Sequence, residues 1–116
     1  MNLNELRDQA HNNAKARGFY DKGQPSVGDF CANLHGEVSE LWEAHRHDQL
    51  EAPCDKATAM ILAGCVPLSC AQEELADIII RALDMAGALG IDLDEAVCQK
   101  MKFNATRSYR HGGKIA

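Results

Sequence analysis

The sequence predicts an all-α domain of four to five helices packed as a bundle, and three observations predict it. Helix-capping signatures recur at Ser26/Asp29, Ser69/Gln72 and Asp92/Glu95. Apolar residues between them repeat at spacings of three and four, and no stretch alternates as a half-buried strand does. Aromatics make up only 5% of the 116 residues, while Ala and Leu are common, which favours helix.

The elements follow in order. Leu3, Leu6, Ala10 and Ala14 line one face of a first helix, which Gly18 stops. A loop, Phe19 to Pro25, leads to the Ser26 cap of a second helix that reaches about Asp48. Residues 49 to 54 read as loop, and a short helix from about Asp55 to Ala63 ends at Gly64. Ser69 and Gln72 open a long helix to about Leu89, closed by Gly90-Ile91 in a Schellman pattern. Asp92 and Glu95 start a last helix to about Asn104. The 70–89 helix is apolar over more than half its circumference (Leu75, Ile78, Ile79, Ile80, Leu83, Leu89). Such a helix belongs at the centre of a fold or at a subunit interface, so a homodimer or homotetramer is expected.

Length and composition bound the rest. Residues 1–116 read as a single domain, with an insert at about 49–72 and a basic tail at about 100–116. The N-terminus lacks a basic and an apolar signal region, and the longest apolar run, Ala59 to Leu68, is too short to span a membrane. Five cysteines without a CxxC pair fit a reduced, cytoplasmic chain. The net charge of −5 argues against nucleic-acid duplex binding. The charge is also unevenly placed. Residues 29 to 95 carry 14 acids and three bases, whereas residues 100 to 116 carry five bases and no acid. That asymmetry fits either a tail solvated on an acidic body or a site holding cations at one end and an anion at the other.

The second helix contains an anomaly. Phe30, Leu34, Val38 and Leu41 share a stripe roughly 80° wide, and Glu37 falls inside or just beside it. A carboxylate facing a core costs several kcal/mol unless it is paired or binds a metal. Glu37 and Glu40 form an i, i+3 pair on one face, as do Glu74 and Asp77 on the long helix. Packed antiparallel, the two helices would converge four carboxylates, which either raise their pKa values or take a divalent cation. Oxygen ligands favour Mg2+, or Mn2+ in its place, and Mg2+ keeps positions for water and phosphate oxygens. The bland alternative is a polar edge, with Arg81 bridged to Asp77 at i+4.

These residues, Glu37-x-x-Glu40 and Glu74-x-x-Asp77 in "HGEVSELWEA" and "EELADIIIRALDMAGALGIDL", resemble the MazG-like all-α NTP pyrophosphohydrolases. The tail "KMKFNATRSYRHGGK" is similar to the family's Lys-x-x-x-Asn-x-x-Arg and His-Gly-x-Lys ending, and the resemblance covers roughly residues 27 to 114. It implies a dimeric or tetrameric helical core with Mg2+ on the four acids. It also implies hydrolysis of a nucleoside triphosphate to monophosphate and pyrophosphate in nucleotide-pool housekeeping. The chain departs from compact members in the 33 residues between Glu40 and Glu74, which put nucleotide preference in doubt.

Glu37, Glu40, Glu74 and Asp77 are thus the candidate metal ligands and catalytic acids. Lys100 and Asn104, i and i+4 on the last helix, would hold phosphate or sugar oxygens, and Arg107 the pyrophosphate. Tyr109, Arg110, His111 and Lys114 are further candidate contacts in the tail. Trp42 and Phe19-Tyr20 would stack on a base, or pack in the core and as a helix staple. Asp84, two turns after Asp77, would support the site or stand in solvent. The His47-Asp48 doublet of another phosphohydrolase class, and zinc on Cys54, Cys65 and Cys70 with His45 or His47, are weaker patterns. The rival function is a non-catalytic helical oligomer that binds nucleotide or a protein partner.

Overall fold

The computed structural model describes residues 1–109, and those residues form five α-helices and no strand. They are α1 (Leu3–Ala16), α2 (Val27–Arg46), α3 (Ala57–Leu62), α4 (Cys70–Leu89) and α5 (Leu93–Thr106). The expected boundaries hold to within about two residues at most ends, because the capping chemistry that announces them is made. Ser26 Oγ accepts the Asp29 N–H while Asp29 returns a bond to the Ser26 N–H, and Ser69 and Gln72 repeat the exchange. Gly90 takes the left-handed conformation (φ 68°), with Ile91 N–H donating to Ala86 C=O and Gly90 N–H to Gly87 C=O. This is the Schellman geometry its position predicts.

Helix α4 is central: α1 and α2 both pack along it. Both run antiparallel to it. Glu37 meets Arg81 while Glu40 meets Glu74; His11 meets Asp84 while Arg7 reaches the carbonyl of Ile91. Gly87 permits the close approach of α1, since a Cβ there would lie 2.6 Å from that of His11. The start of α5 is tied to the start of α1 by exchanged caps. Asp94 accepts the Leu3 N–H at 2.9 Å, and Asn4 Oδ1 accepts the Leu93 N–H at 2.9 Å. Each helix thereby satisfies N–H groups that the other leaves without a partner.

The insert is held as well. Its two ends pair where Cys54 N–H donates to Leu68 C=O and Cys70 N–H to Ala52 C=O, a single bridge rather than a sheet. The hydrophobic core is small: Phe30, Cys54, Leu83 and Ala86 are the buried apolar residues among those described. Val38, Trp42, Leu75 and Ile79 are each about half exposed. The radius of gyration is 16.6 Å, against about 13 Å for a compact domain of this length. No helix among the described residues is long and apolar enough to cross a membrane.

Candidate metal centre

The acids of α2 and α4 meet across the helix pair. One carboxylate oxygen each from Glu37, Glu74 and Asp77 lies within 4.8 Å of the other two, the one such cluster of potential metal ligands among the described residues. Glu37 reaches it because the face of α2 that meets α4 is Phe30, Leu34, Glu37 and Leu41, spaced four, three and four. Val38, expected inside that stripe, lies at its edge, 48% exposed, while the Glu37 side chain is only 12% exposed. The inward reading of Glu37 is therefore sharper in the structure than in the helical projection.

Glu40 stands outside the trio, but its carboxyl lies against that of Glu74. Burial, then the hydrogen bond and charge of Glu40, push Glu74 up to about 7. Burial and the neighbouring charge of Glu37 raise Asp77 as well. Among the described residues no cation pairs with Glu40, Glu74 or Asp77. Two buried oxygens, Glu37 Oε2 and Glu74 Oε2, have no hydrogen-bond partner. Oxygen donors in this density, with two acceptors buried and unpaired, suit a hard divalent cation such as Mg2+ or Mn2+.

Arg81 is placed differently from the i+4 pairing with Asp77. Its Nε–H donates to Glu37 Oε1 at 3.1 Å, across the helix pair. Asp77 points to the carboxylates, and Arg81, one turn on, reaches the α2 side. Glu73, not singled out in the sequence, is the buried acid of α4 at 7% exposure, and Lys56 Nζ meets it at 2.6 Å. That bond holds the Lys56 ammonium above its ordinary range. The available signal was the position of Lys56, one of only three bases in the acidic stretch. Asp55 and Lys56 of the insert border a recess with Glu40, Glu43, Glu73 and Glu74. The insert thus flanks the acid site on its Glu40 side.

On the other side of Glu37 and Asp77 opens a cavity of about 340 Å3, walled by Phe19, Tyr20 and Phe30 and bounded by Arg81 and Asp84. Phe19 is 64% exposed at its rim, and Tyr20 donates its O–H to Asp84 at 2.7 Å. Burial and that bond push the phenol above its usual range. Asp84 is therefore engaged, not solvated: His11 Nδ1 also lies 2.9 Å from the same Oδ1.

The remaining candidates lie apart from the acids. Trp42 is 57% exposed, tilted on His45, and is not a core residue. Lys100 and Arg107 both rest over the ring of Phe103 on α5, and neither borders the acid recess or the cavity. Asn104 is half-buried with Oδ1 unpartnered, and Tyr109 is exposed. Arg110, His111 and Lys114 lie outside the described residues. His47 pairs with Glu43 at 3.4 Å, and Asp48 turns the chain at φ 56°, so the His-Asp doublet serves the end of α2. No cysteine joins the metal-ligand cluster. No family model, curated protein or solved structure matches this chain.

Proposed function

We propose that this chain hydrolyses a nucleoside triphosphate, ribo or deoxy, to the monophosphate and pyrophosphate with Mg2+, as a MazG-like pyrophosphohydrolase. The observation that carries the reading is the pair of buried, unpartnered oxygens on Glu37 and Glu74 within a three-carboxylate cluster. That cluster opens on a cavity of about 340 Å3, the size class of small-molecule sites.

Glu37, Glu74 and Asp77 would hold the ion, with Glu40 adjoining. When bound, Mg2+ supplies positive charge to phosphate oxygens and lowers the pKa of water. The protein's own part is to converge the acids and hold a proton. Burial and the neighbouring Glu40 favour a proton on Glu74 in the ion-free site, and a cation bound there would displace that proton to solvent. Arg81, half-exposed beside Glu37, neutralises part of the acid field and presents guanidinium N–H groups to a phosphate. Water adds at one phosphorus, the α–β anhydride bond breaks, and pyrophosphate leaves.

The exposed apolar residues of α2 and α4, with the extended radius of gyration, support a homodimer or homotetramer as the working form. Lys100, Asn104 and Arg107, which line neither the recess nor the cavity of their own chain, would complete the anion end in that assembly. A cytoplasmic setting suits both the substrate and the free thiols.

The test is pyrophosphate and monophosphate release from canonical and modified NTPs and dNTPs, with Mg2+ and with EDTA. Equimolar Mg2+-dependent products support the reading. Inorganic phosphate would keep the ion site and move the cut. No turnover by folded, Mg2+-loaded protein would favour the non-catalytic oligomer, whose supporting observation is the same exposed apolar surface.

A further inference from the structure

The cavity beside Glu37 and Asp77 has a second polar end. Both ends come from α4: Asp77 at one and Asp84 at the other. Seven residues are two helical turns on the same side, roughly 10 Å at 1.5 Å per residue. A nucleotide spans a comparable distance from its α-phosphate to the far edge of its base. The rings of Phe19, Tyr20 and Phe30 also line the cavity, surfaces on which a flat heterocycle packs.

Asp84 is prepared in a specific way. Its Oδ1 accepts from the Tyr20 O–H at 2.7 Å and meets His11 Nδ1 at 2.9 Å. Both partners use the same oxygen, which fixes the plane of the carboxylate. Among the described residues nothing donates to Oδ2. The side chain is 15% exposed and lines the cavity. The clamp is built into the fold, since Gly87 lets α1 come close enough to set His11 over Asp84. A carboxylate that served only to clasp α1 to α4 has no need to border a cavity with one oxygen open.

We infer that this cavity receives the nucleobase and that Asp84 Oδ2 accepts a hydrogen bond from an exocyclic amino group on it. The chain therefore selects cytosine, adenine or guanine over uracil, thymine and hypoxanthine. The inference rests on the proposed function, which puts the phosphates at Glu37 and Asp77. The physical reason is that an ionised carboxylate only accepts. An amino group donates to it, whereas a carbonyl in the same place sets one lone pair against another and leaves both unpaired. The imide N–H of uracil does not compensate, because it is flanked by two carbonyls that repel the approaching anion.

The experiment is calorimetric titration of the whole protein, with Mg2+, against α,β-imido triphosphates in isosteric pairs: dCTP with dUTP, and dGTP with dITP. Guanine differs from hypoxanthine by its 2-amino group alone, and cytosine differs from uracil by a 4-amino group in place of a carbonyl, with N3 changing from acceptor to N–H donor. The amino-bearing member is expected to bind roughly 10- to 100-fold tighter. Asp84→Asn keeps an acceptor for Tyr20 and His11 and replaces Oδ2 by an N–H donor, so it should abolish or invert the preference. Tyr20→Phe should weaken the preference by loosening the carboxylate, and circular dichroism checks that each variant folds. Equal affinity of the wild type for both members of each pair, with tight binding, would overturn the inference and leave the proposed function standing. Wild-type protein that is folded but binds no analogue would remove the proposed function and this inference with it. The wild-type pairs decide the matter even if Asp84→Asn fails to fold.

Discussion

Two turns of α4 separate two settings for a carboxylate that differ in one respect, the partners the neighbouring helices supply. Asp84 meets a phenol and an imidazole, both from the α1 side of the molecule. Glu74 and Asp77 face carboxylates from α2 and from α4 itself, and the opposing charge felt by Asp77 is that of Lys56, which pairs with Glu73 instead. Burial is similar, since Asp84, Glu74 and Asp77 are all partly covered. Burial alone therefore does not mark a functional acid. An acid supplied with donors is settled within the fold; a group of acids without them is left wanting a cation. Adjacent Glu73 sharpens the point. It is more buried than Glu74, yet Lys56 satisfies it at 2.6 Å.

The contrast is most severely tested by removing ligands. Glu74→Gln or Asp77→Asn should lower Mg2+-dependent pyrophosphate release by about 10³-fold, since several kcal/mol of charge stabilisation depend on the ion. The same variants should remain folded by circular dichroism. A loss of activity that tracks a loss of fold would place these acids with Glu73, whose role is to pair with Lys56 inside the fold.

Asp84→Ala should act in the opposite sense on stability. It strands the Tyr20 O–H and the His11 ring in a half-buried site and should cost about 2 kcal/mol in denaturant unfolding. Gly87→Ala should cost a comparable 1–3 kcal/mol, because the new methyl cannot coexist with His11 at 2.6 Å. If Gly87→Ala unfolds at wild-type denaturant, α1 does not pack as described and the Asp84 clamp fails with it.

The smallest expected effect is a pH slope. The Glu74 carboxyl, ordinarily near 4.5, lies at about 7 in the fold. The folded state thus holds its proton more tightly than the unfolded chain does. Its contribution is fully present below about 4.5 and is lost as pH rises through about 7. In EDTA the melting temperature should fall between pH 5 and pH 8, and Mg2+ should flatten that fall by binding the ionised acids. Glu74→Gln should remove the slope. A slope unchanged by that substitution would assign it to another group.

Much of the fold is legible along the chain because its determinants are local. Ser26, Ser69, Asp92 and Gly90-Ile91 specify helix ends through bonds that span three to five positions. The pairing of Glu37 with Glu40, and of Glu74 with Asp77, follows from helical periodicity alone. So does the apolar surplus of α4. The face of α2 that α4 covers is rotated from the expected stripe, because Val38 lies about 80° from Phe30 on one side and Glu37 only about 20° from it on the other. A sequence cannot tell which edge of a stripe the partner helix will cover.

What the sequence by itself determined is therefore the helices, their ends and the two acidic faces. Each depends on hydrogen bonds and side-chain spacings within a turn or two of the chain. Only the tertiary structure decided how those faces are completed. Arg81 went to Glu37 rather than Asp77, Lys56 to Glu73, and Tyr20 with His11 to Asp84, across separations of 44, 17, 64 and 73 residues. Lys100 and Arg107 stayed with Phe103, away from the acids. The reason is that a helix fixes which residues share its face, whereas the rotation and depth at which two helices meet are set by packing. At Gly87 that packing turns on the absence of a single methyl group.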